Sequence, residues 1–275
     1  MTAGHYTVLG GGGFIGSHLL RYLRQNDHQC FSPLRGDDSL FNSSLGHVIY
    51  CVGLTADFRS RPLDTVEAHV CLLRRLLEQA EFESLTYLSS TRVYAGATAT
   101  DESSTLHVNP NQPGDLYNLS KLMGESLCLH GGRANTRVAR LSNIVGLRPD
   151  PDIFIDQLLE EGRKTGRILL RTALSSRKDY LYIDDAVSAL ALIAASKAQG
   201  IINVASGEAV DNQQIVRILE SDMGFIVDVA ANAPAWDFTA IDINRLKDEF
   251  AIQPRLFSDY FPEFLKLYRR NKGFL

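Results

Sequence analysis

The sequence predicts an α/β fold: a doubly wound parallel sheet with helices on both faces, followed by a smaller C-terminal lobe. Three observations carry this. Apolar, β-rich runs alternate with helix-period segments through the first two thirds of the chain, the pattern of strand–helix–strand units. A glycine-rich turn lies between the first apolar run and the first helical segment. After Gly146 the alternation gives way to shorter runs and a closing set of helices. The 275 residues, 45% of them apolar, suffice for one large core and a small lobe.

Taken in order, the strands expected in the first part are residues 5–9, 28–32, 47–52, 85–89 and 136–140, each short and apolar. The helices between them are 14–25, 63–81 and 115–130. The connection 33–46 contains DDSLFNSSLG, too short and polar for a full helix, so one crossover is abbreviated. Beyond Gly146 the pattern gives a helix at 152–163, strands at 167–171 and 180–183, a helix at 184–196 and a strand at 201–204. Helices at 212–222, 242–250 and 258–270 complete the chain. In such sheets ligands bind beyond the carboxyl ends of the strands.

Charge and cysteine usage narrow the function classes. With 28 basic and 32 acidic side chains, a net charge of −4 and no basic stripe, nucleic acid is not an expected partner. The N-terminus lacks a basic region followed by an apolar run, so no signal peptide is expected. The most membrane-like stretch, 186–195, is too short to span a bilayer, so no membrane association is expected. Cys30, Cys51, Cys71 and Cys128 are scattered with no C-x-x-C, which suggests free thiols and a cytoplasmic location. His28/Cys30 and His69/Cys71 lack the spacing of ligands on one face, and no metal site is expected.

Gly10, Gly13 and Gly16 form G-x-x-G-x-x-G directly after the strand HYTVL and directly before the helix FIGSHLLRYL. Glycines there permit a tight turn and close approach of backbone to a pyrophosphate. The following helix start, Phe14, Ile15 and Gly16, offers unpaired N–H groups to the anion. A merely flexible four-glycine turn would not need the strand before it and the helix after it. The reading is a dinucleotide-binding loop. Enzymes with such loops often end the second strand on an acid that binds the adenosine ribose. Here the expected end is Leu34, followed by Arg35, and a guanidinium suits a 2′-phosphate, favouring NADP(H) over NAD(H). Asp37 or Asp38 serving an NAD ribose is the alternative.

Tyr117 and Lys121 stand four apart at the start of a helix and so share a face. A phenol is a poor acid–base group at neutral pH, and a nearby ammonium favours its phenolate. Upstream, Ser89 and Ser90 fall at the carboxyl end of a strand, where Ser90 can hydrogen-bond a reacting oxygen. Taken singly, each is equally an ordinary surface helix or a turn-capping serine. Their order, glycine loop, strand-end serine, then Tyr-x-x-x-Lys, is the informative signal.

With these residues in place the sequence resembles the extended short-chain dehydrogenases, specifically the NAD-dependent epimerase/dehydratase family that acts on nucleotide sugars. The resemblance runs from about His5 to about Tyr268 and rests on VLGGGGFIGSHL, YLSSTRVYA, YNLSKLMGE, RLSNIVG and KDYLYIDD. It implies a Rossmann-type domain over residues 1–146, to which 178–205 return, and a substrate-binding lobe from 147–177 and 206–275. It further implies Ser90, Tyr117 and Lys121 as the catalytic group, with Tyr117 and Lys121 also touching the cofactor. Val52 and Gly53, after the third strand, join the cofactor site. Asn143 contacts the substrate diphosphate, and the basic residue of the family's R-D-[FY] motif maps onto Lys178, with Arg177 beside it. A homodimer through helices 63–81 and 115–130 is also implied, with Val66, Val70, Leu73 and Leu77 as an apolar stripe.

The departures are informative. His69 stands where the family's helix usually carries Asn, and Gly53 replaces the usual Ala. Sugar 4,6-dehydratases follow the catalytic Thr with Asp-Glu, whereas Thr91 and Arg92 follow Ser90 here. Dehydration is therefore disfavoured, leaving a 4-epimerase or a 4-ketoreductase, both working by hydride transfer at a sugar carbon. The rival from another class is an NADP-binding redox sensor or scaffold, but such relatives typically lose the Tyr or Lys. The segments expected to choose the sugar are 148–177 and 230–243. Trp236 and Phe238 are candidates to stack on the base, although a lone Trp there also suits the lobe's core.

Overall fold

The computed structural model describes residues 4–55, 57–148 and 153–272. The chain runs β1 (His5–Leu9), α1 (Phe14–Gln25), β2 (Gln29–Phe31), β3 (His47–Tyr50), α2 (Pro62–Val66) and α3 (Leu72–Gln79). It continues through β4 (Ser84–Ser90), α4 (Asp115–His130), β5 (Thr136–Leu141), β6 (Asn143–Val145), α5 (Phe154–Thr165), β7 (Arg167–Leu170) and β8 (Arg177–Lys178). Then follow β9 (Tyr180–Tyr182), α6 (Ile183–Ala195), β10 (Gly200–Val204), β11 (Val210–Asp211) and α7 (Asn212–Met223). β12 (Ile226–Val229), α8 (Asn244–Phe250) and α9 (Phe257–Lys272) close it.

Six strands form one parallel sheet in the order β10-β5-β4-β3-β1-β2. The order reverses between β1 and β3, so a crevice opens at their carboxyl ends, the place where such sheets bind ligands. β2 is an edge strand because β3 pairs on the other side of β1, and the chain returns from β2 to β3 without a helix. Only a short 3₁₀ turn, Asp38–Phe41, interrupts that connection, capped by Asp37 accepting from the Ser39 N–H. The abbreviated crossover is thus observed, but β2 ends at Phe31, three residues before the Leu34 expected from the sequence. One face of the sheet is covered by α1 and α6, whose Leu19, Leu23, Val187, Leu190 and Ile193 are buried together. The other face is covered by α3 and α4, with Leu73, Leu76 and Cys128 over Tyr50 and Tyr87.

The expected single helix over 63–81 is broken in the middle by a π turn at Glu67–Cys71. Two buried phenols explain it: Tyr50 donates to the Ala68 carbonyl at 2.6 Å and Tyr87 to the His69 carbonyl at 3.2 Å. Side chains that take carbonyls out of the helical ladder permit the wider turn. α4 lies close over β4 because Gly124 has no side chain; a Cβ there would sit 2.5 Å from the Tyr87 hydroxyl.

A separate cluster, including Ile155, Leu159, Ile168, Tyr180, Phe257, Phe261 and Phe264, joins α5, β7, β9 and α9. Strands β6, β8, β11 and β12 were not expected. Each is four residues or fewer and pairs only with another short strand, so local pattern carries little trace of it. The start of α5 is Phe154, while Asp152 of the expected helix lies outside the described residues. Among the described residues no helix is long and apolar enough to cross a membrane, and no cluster of metal-ligating side chains occurs.

Candidate active site

The glycine loop follows β1 into α1 at the switch point. Gly10 has φ +80°, and a Cβ on it would lie 2.9 Å from the Cys51 carbonyl. A Cβ on Gly16 would lie 2.3 Å from the Gly10 carbonyl, so this turn accepts glycine alone at both positions. Gly12 faces open space. α1 has no side-chain cap and no acid in its first turn, leaving its N–H groups directed at the crevice. These features fit the diphosphate of a dinucleotide.

A cleft of about 1360 Å³ runs from this loop across the carboxyl ends of the sheet. It exceeds the ~300–1,000 Å³ usual for one small-molecule ligand and has room for two. Gly10, Gly13, Phe14, Ile15, Gly16, Arg35, Val52, Gly53, Ser90, Tyr117, Lys121, Asn143 and Lys178 all line it. Arg177 does not: it is turned to Asp237 at 3.9 Å, and its backbone pairs with Trp236 and Phe238.

At the centre, Ser90 ends β4 and caps the following 3₁₀ turn by accepting from the Arg92 N–H at 3.2 Å. Ser90 and the Tyr117 phenol line the same cleft, and the Ser90 hydroxyl acts to lower the phenol's pKa. Burial raises the Tyr117 phenol above its ordinary value, against smaller lowering influences from Ser90 and Arg92. Among the charges around the phenol, that of Arg92 acts to lower its pKa. The Lys121 ammonium donates to the Leu88 carbonyl at 2.9 Å, 5.8 Å from the centre of the Tyr117 ring. Burial brings it down to about 7. Arg92 is a second cation over the phenol, 5.4 Å from the ring centre.

His69 supports this centre from below. Its Nε2 accepts from the Leu54 N–H at 3.2 Å, which leaves the proton on Nδ1 to donate to the Ser120 hydroxyl at 2.8 Å. Ser120 passes a hydrogen bond on to the Tyr117 carbonyl. Fully buried, the imidazole is held neutral, its pKa depressed to about 2 by burial and then by the Lys121 charge. A Cβ on Gly53 would sit 2.9 Å from His69 Nε2. His69 and Gly53 thus fit each other: the imidazole occupies space that Gly53 leaves free.

At the far end, Asn143 donates through Nδ2 to the Asp179 carbonyl, and the buried Asp179 carboxylate accepts from the Ser206 and Gly207 N–H groups. Lys178 lies 5.2 Å from the Phe154 ring centre. Trp236 is half-exposed and lines the cleft with Phe238, so it is not a core residue of the lobe. At the adenosine end Ser32, not Leu34, stands at the tip of β2 against the glycine loop: a Cβ on Gly11 would lie 2.2 Å from its hydroxyl. Sequence reasoning missed Arg59, Arg75, Cys51 and Asp179 in the lining. Asp179 directly follows Lys178 in a quoted motif, whereas Arg59 and Arg75 carry no local signal.

Residues 6–205 match the model of the NAD dependent epimerase/dehydratase family. The chain belongs to that family. Its members are enzymes, and the solved structures similar to it share its fold. A protein of Methanocaldococcus jannaschii, provisionally named UDP-glucose 4-epimerase, is 24% identical over 79% of this chain and 82% of its own length. Among solved structures, MoeE5 in complex with UDP-glucose and NAD superposes with a TM-score of 0.82 at 23% identity, covering 98% of this chain and 99% of that one. UDP-glucuronic acid 4-epimerase from Bacillus cereus, with UDP-glucuronic acid and NAD, gives 0.78 at 18% identity, over 95% and 96%. RMD from Pseudomonas aeruginosa, complexed with NADPH, gives 0.75 at 22%, over 92% and 94%.

Proposed function

We propose that this member of the family interconverts a hydroxyl and a ketone on the sugar of a nucleotide-linked substrate, as a 4-epimerase or a 4-ketoreductase. The observation that carries the reading is that Ser90 and Tyr117, with Lys121 one helical turn on, line the same cleft as the glycine loop. Gly10–Gly16 and the start of α1 hold the cofactor diphosphate, and the nicotinamide supplies the hydride acceptor and donor when bound. Tyr117 in its phenolate form, which burial disfavours and the Arg92 charge favours, takes the proton from the sugar hydroxyl as the carbon is oxidised and returns it on reduction. Ser90 hydrogen-bonds the same oxygen. Lys121, fixed on the Leu88 carbonyl beneath them, provides the ammonium that the nicotinamide ribose meets. Asn143 and Lys178 take the substrate diphosphate.

Elimination of water would need an acid–base pair after Ser90, and Thr91 and Arg92 stand there. Glu125, a buried carboxylate on α4, is committed to Arg140 at 2.6 Å, and the buried Asp179 to the Ser206 and Gly207 N–H groups. NADP(H) is the favoured cofactor, since β2 ends without a carboxylate and both Arg35 and Arg75 line that end of the cleft. A cytoplasmic setting agrees with the four free cysteines.

Incubation with UDP-, dTDP-, GDP- and CDP-sugars plus NAD(P), followed by chromatography of products and cofactor absorbance, tests the reading. A converted sugar is expected, with Tyr117→Phe slowing turnover by about 10²–10⁴ while cofactor affinity persists. Wild-type turnover in that variant would remove Tyr117 from the acid–base role.

A further inference from the structure

The start of α1 and the start of the lobe meet at one packed contact. Phe14, the first residue of α1, lines the cleft beside the glycine loop. The Arg148 guanidinium lies 3.8 Å from the centre of the Phe14 ring. His18 packs edge-on to the same ring, with centres 5.0 Å apart. Gly146 makes room for the ring: a Cβ there would sit 3.1 Å from Phe14 Cζ and 2.6 Å from the Ile183 side chain. A shift of Phe14 is therefore felt at residues 146–148.

Arg148 carries the contact into the lobe. It donates through Nη2 to the Ile144 carbonyl at 3.1 Å and pairs with Asp156 on α5 at 2.8 Å, both side chains shielded from solvent. Breaking such a pair leaves a buried charge, so α5 follows the guanidinium. α5 starts at Phe154, whose ring lies 5.2 Å from the Lys178 ammonium. Lys178 is the cation proposed above for the substrate diphosphate. Phe14, Arg148, Asp156, Phe154 and Lys178 thus form one continuous set of contacts from the cofactor turn to the substrate end. Stacked, paired and hydrogen-bonded within the protein, Arg148 shapes the wall of the cleft that it lines.

We infer that Arg148 is a positioning residue that couples the two ends of the cleft, so that cofactor and nucleotide-linked substrate each raise the protein's affinity for the other. The inference rests on the nucleotide-sugar reading above. Two diphosphates in one cleft repel each other, so their direct electrostatics works against joint binding. Mutual tightening needs a link through the protein, and packed rings and buried ion pairs are the material of such links. A cofactor that restrains Phe14 through α1 restrains Arg148 and Asp156 with it. The substrate then has less of the lobe left to order when it binds. A planar, forked guanidinium serves the ring and the carboxylate together, which an ammonium does not.

Calorimetry on the full chain tests this with free nucleoside diphosphates, which lack the sugar and so do not touch the nicotinamide. UDP, dTDP, GDP and CDP are titrated into the protein with and without saturating NADPH, and with NAD in a parallel series. The nucleotide that binds is expected to do so at least about 5-fold more tightly once the cofactor is loaded, the low end of ordinary coupling. In Arg148→Met that factor should fall to about one, and Arg148→Lys should not keep it. Arg148→Met strands the Asp156 charge. The double variant Arg148→Met/Asp156→Leu removes both charges, a change that buried pairs tolerate, and should lose the coupling at a Tm near that of wild type. A wild-type factor of one or less overturns the inference. So does a factor that survives in the double variant, since a merely structural Arg148 would weaken both ligands and leave their coupling intact. If no nucleoside diphosphate binds, with or without cofactor, the nucleotide-sugar reading itself falls, and this inference with it.

Discussion

His69 and Gly53 are compatible only as a pair. The imidazole is fixed by two hydrogen bonds, one to the loop at Leu54 and one to Ser120 beneath Tyr117, and a methyl group on residue 53 would press on its Nε2. Gly53→Ala is expected to destabilise the protein by about 1–3 kcal/mol through overpacking. Adding His69→Asn should recover part of that loss, because the smaller amide vacates the space. A double-mutant cycle by chemical denaturation reads the coupling, expected at about 0.5 kcal/mol or more. Additive effects would show that the two positions do not share the space.

The elements carrying the site are tied together by one buried ion pair. Arg140 on β5 and Glu125 on α4 meet at 2.6 Å, both almost fully buried, and Ser89 donates to the same carboxylate. Arg140 also donates to the Tyr94 hydroxyl. The pair fixes α4, and with it Tyr117 and Lys121, against the end of β4. Glu125→Ala leaves an unpaired buried guanidinium and should cost about 3–5 kcal/mol, seen as a lower Tm; a loss under about 1 kcal/mol would show that the pair does not anchor the helix. The β2–β3 connection carries the cofactor preference. Arg35 is exposed on a turn after β2, and Asp38 there is drawn to Arg75 at 3.5 Å. With charge-assisted bonds worth about 1.5–3 kcal/mol, NADPH should bind roughly 10- to 150-fold tighter than NADH, and Arg35→Ala should erase most of that margin. Calorimetry showing equal or tighter NADH binding would leave an NAD-retaining epimerase ahead.

For the whole molecule, the proposed homodimer depends on which apolar groups the fold leaves outside. Half of the stripe expected on the helix after β3 is used internally: Leu73 and Leu77 are buried against the sheet, while Val66 and Val70 are only partly covered. Leu63 is 83% exposed and Met123, on the outer side of α4, 54%. Light scattering at micromolar concentration should give twice the mass of the 275-residue chain, and Met123→Glu, which places a charge on that face, should shift the protein towards monomer. A wild-type monomer would mean that the stripe serves only to cover the sheet.

The sequence by itself determined the α/β fold and most of its elements. β1, α1 and α4 have the bounds that their patterns predict, because a buried parallel strand and a helix packed on it each impose a local period on the sequence. It also placed Gly10, Gly13, Ser90, Tyr117 and Lys121 in order, since a strand-end turn and an i,i+4 pair are short-range features. Four things were decided only by tertiary structure. The π turn at Glu67–Cys71 exists because Tyr50 and Tyr87, from two other strands, take its carbonyls. The end of β2 is set by its pairing with β1, which stops at Phe31. Arg177 was carried out of the cleft by its pairing with the segment at Trp236–Phe238, while Lys178 beside it turned in, as neighbours on a strand must. The guanidiniums of Arg59 and Arg92 met over one phenylalanine although 33 positions separate them in the chain. A single sequence records local periods and spacings. Which distant charges come to share one cleft depends on how the sheet is crossed, and that crossing is a property of the whole fold.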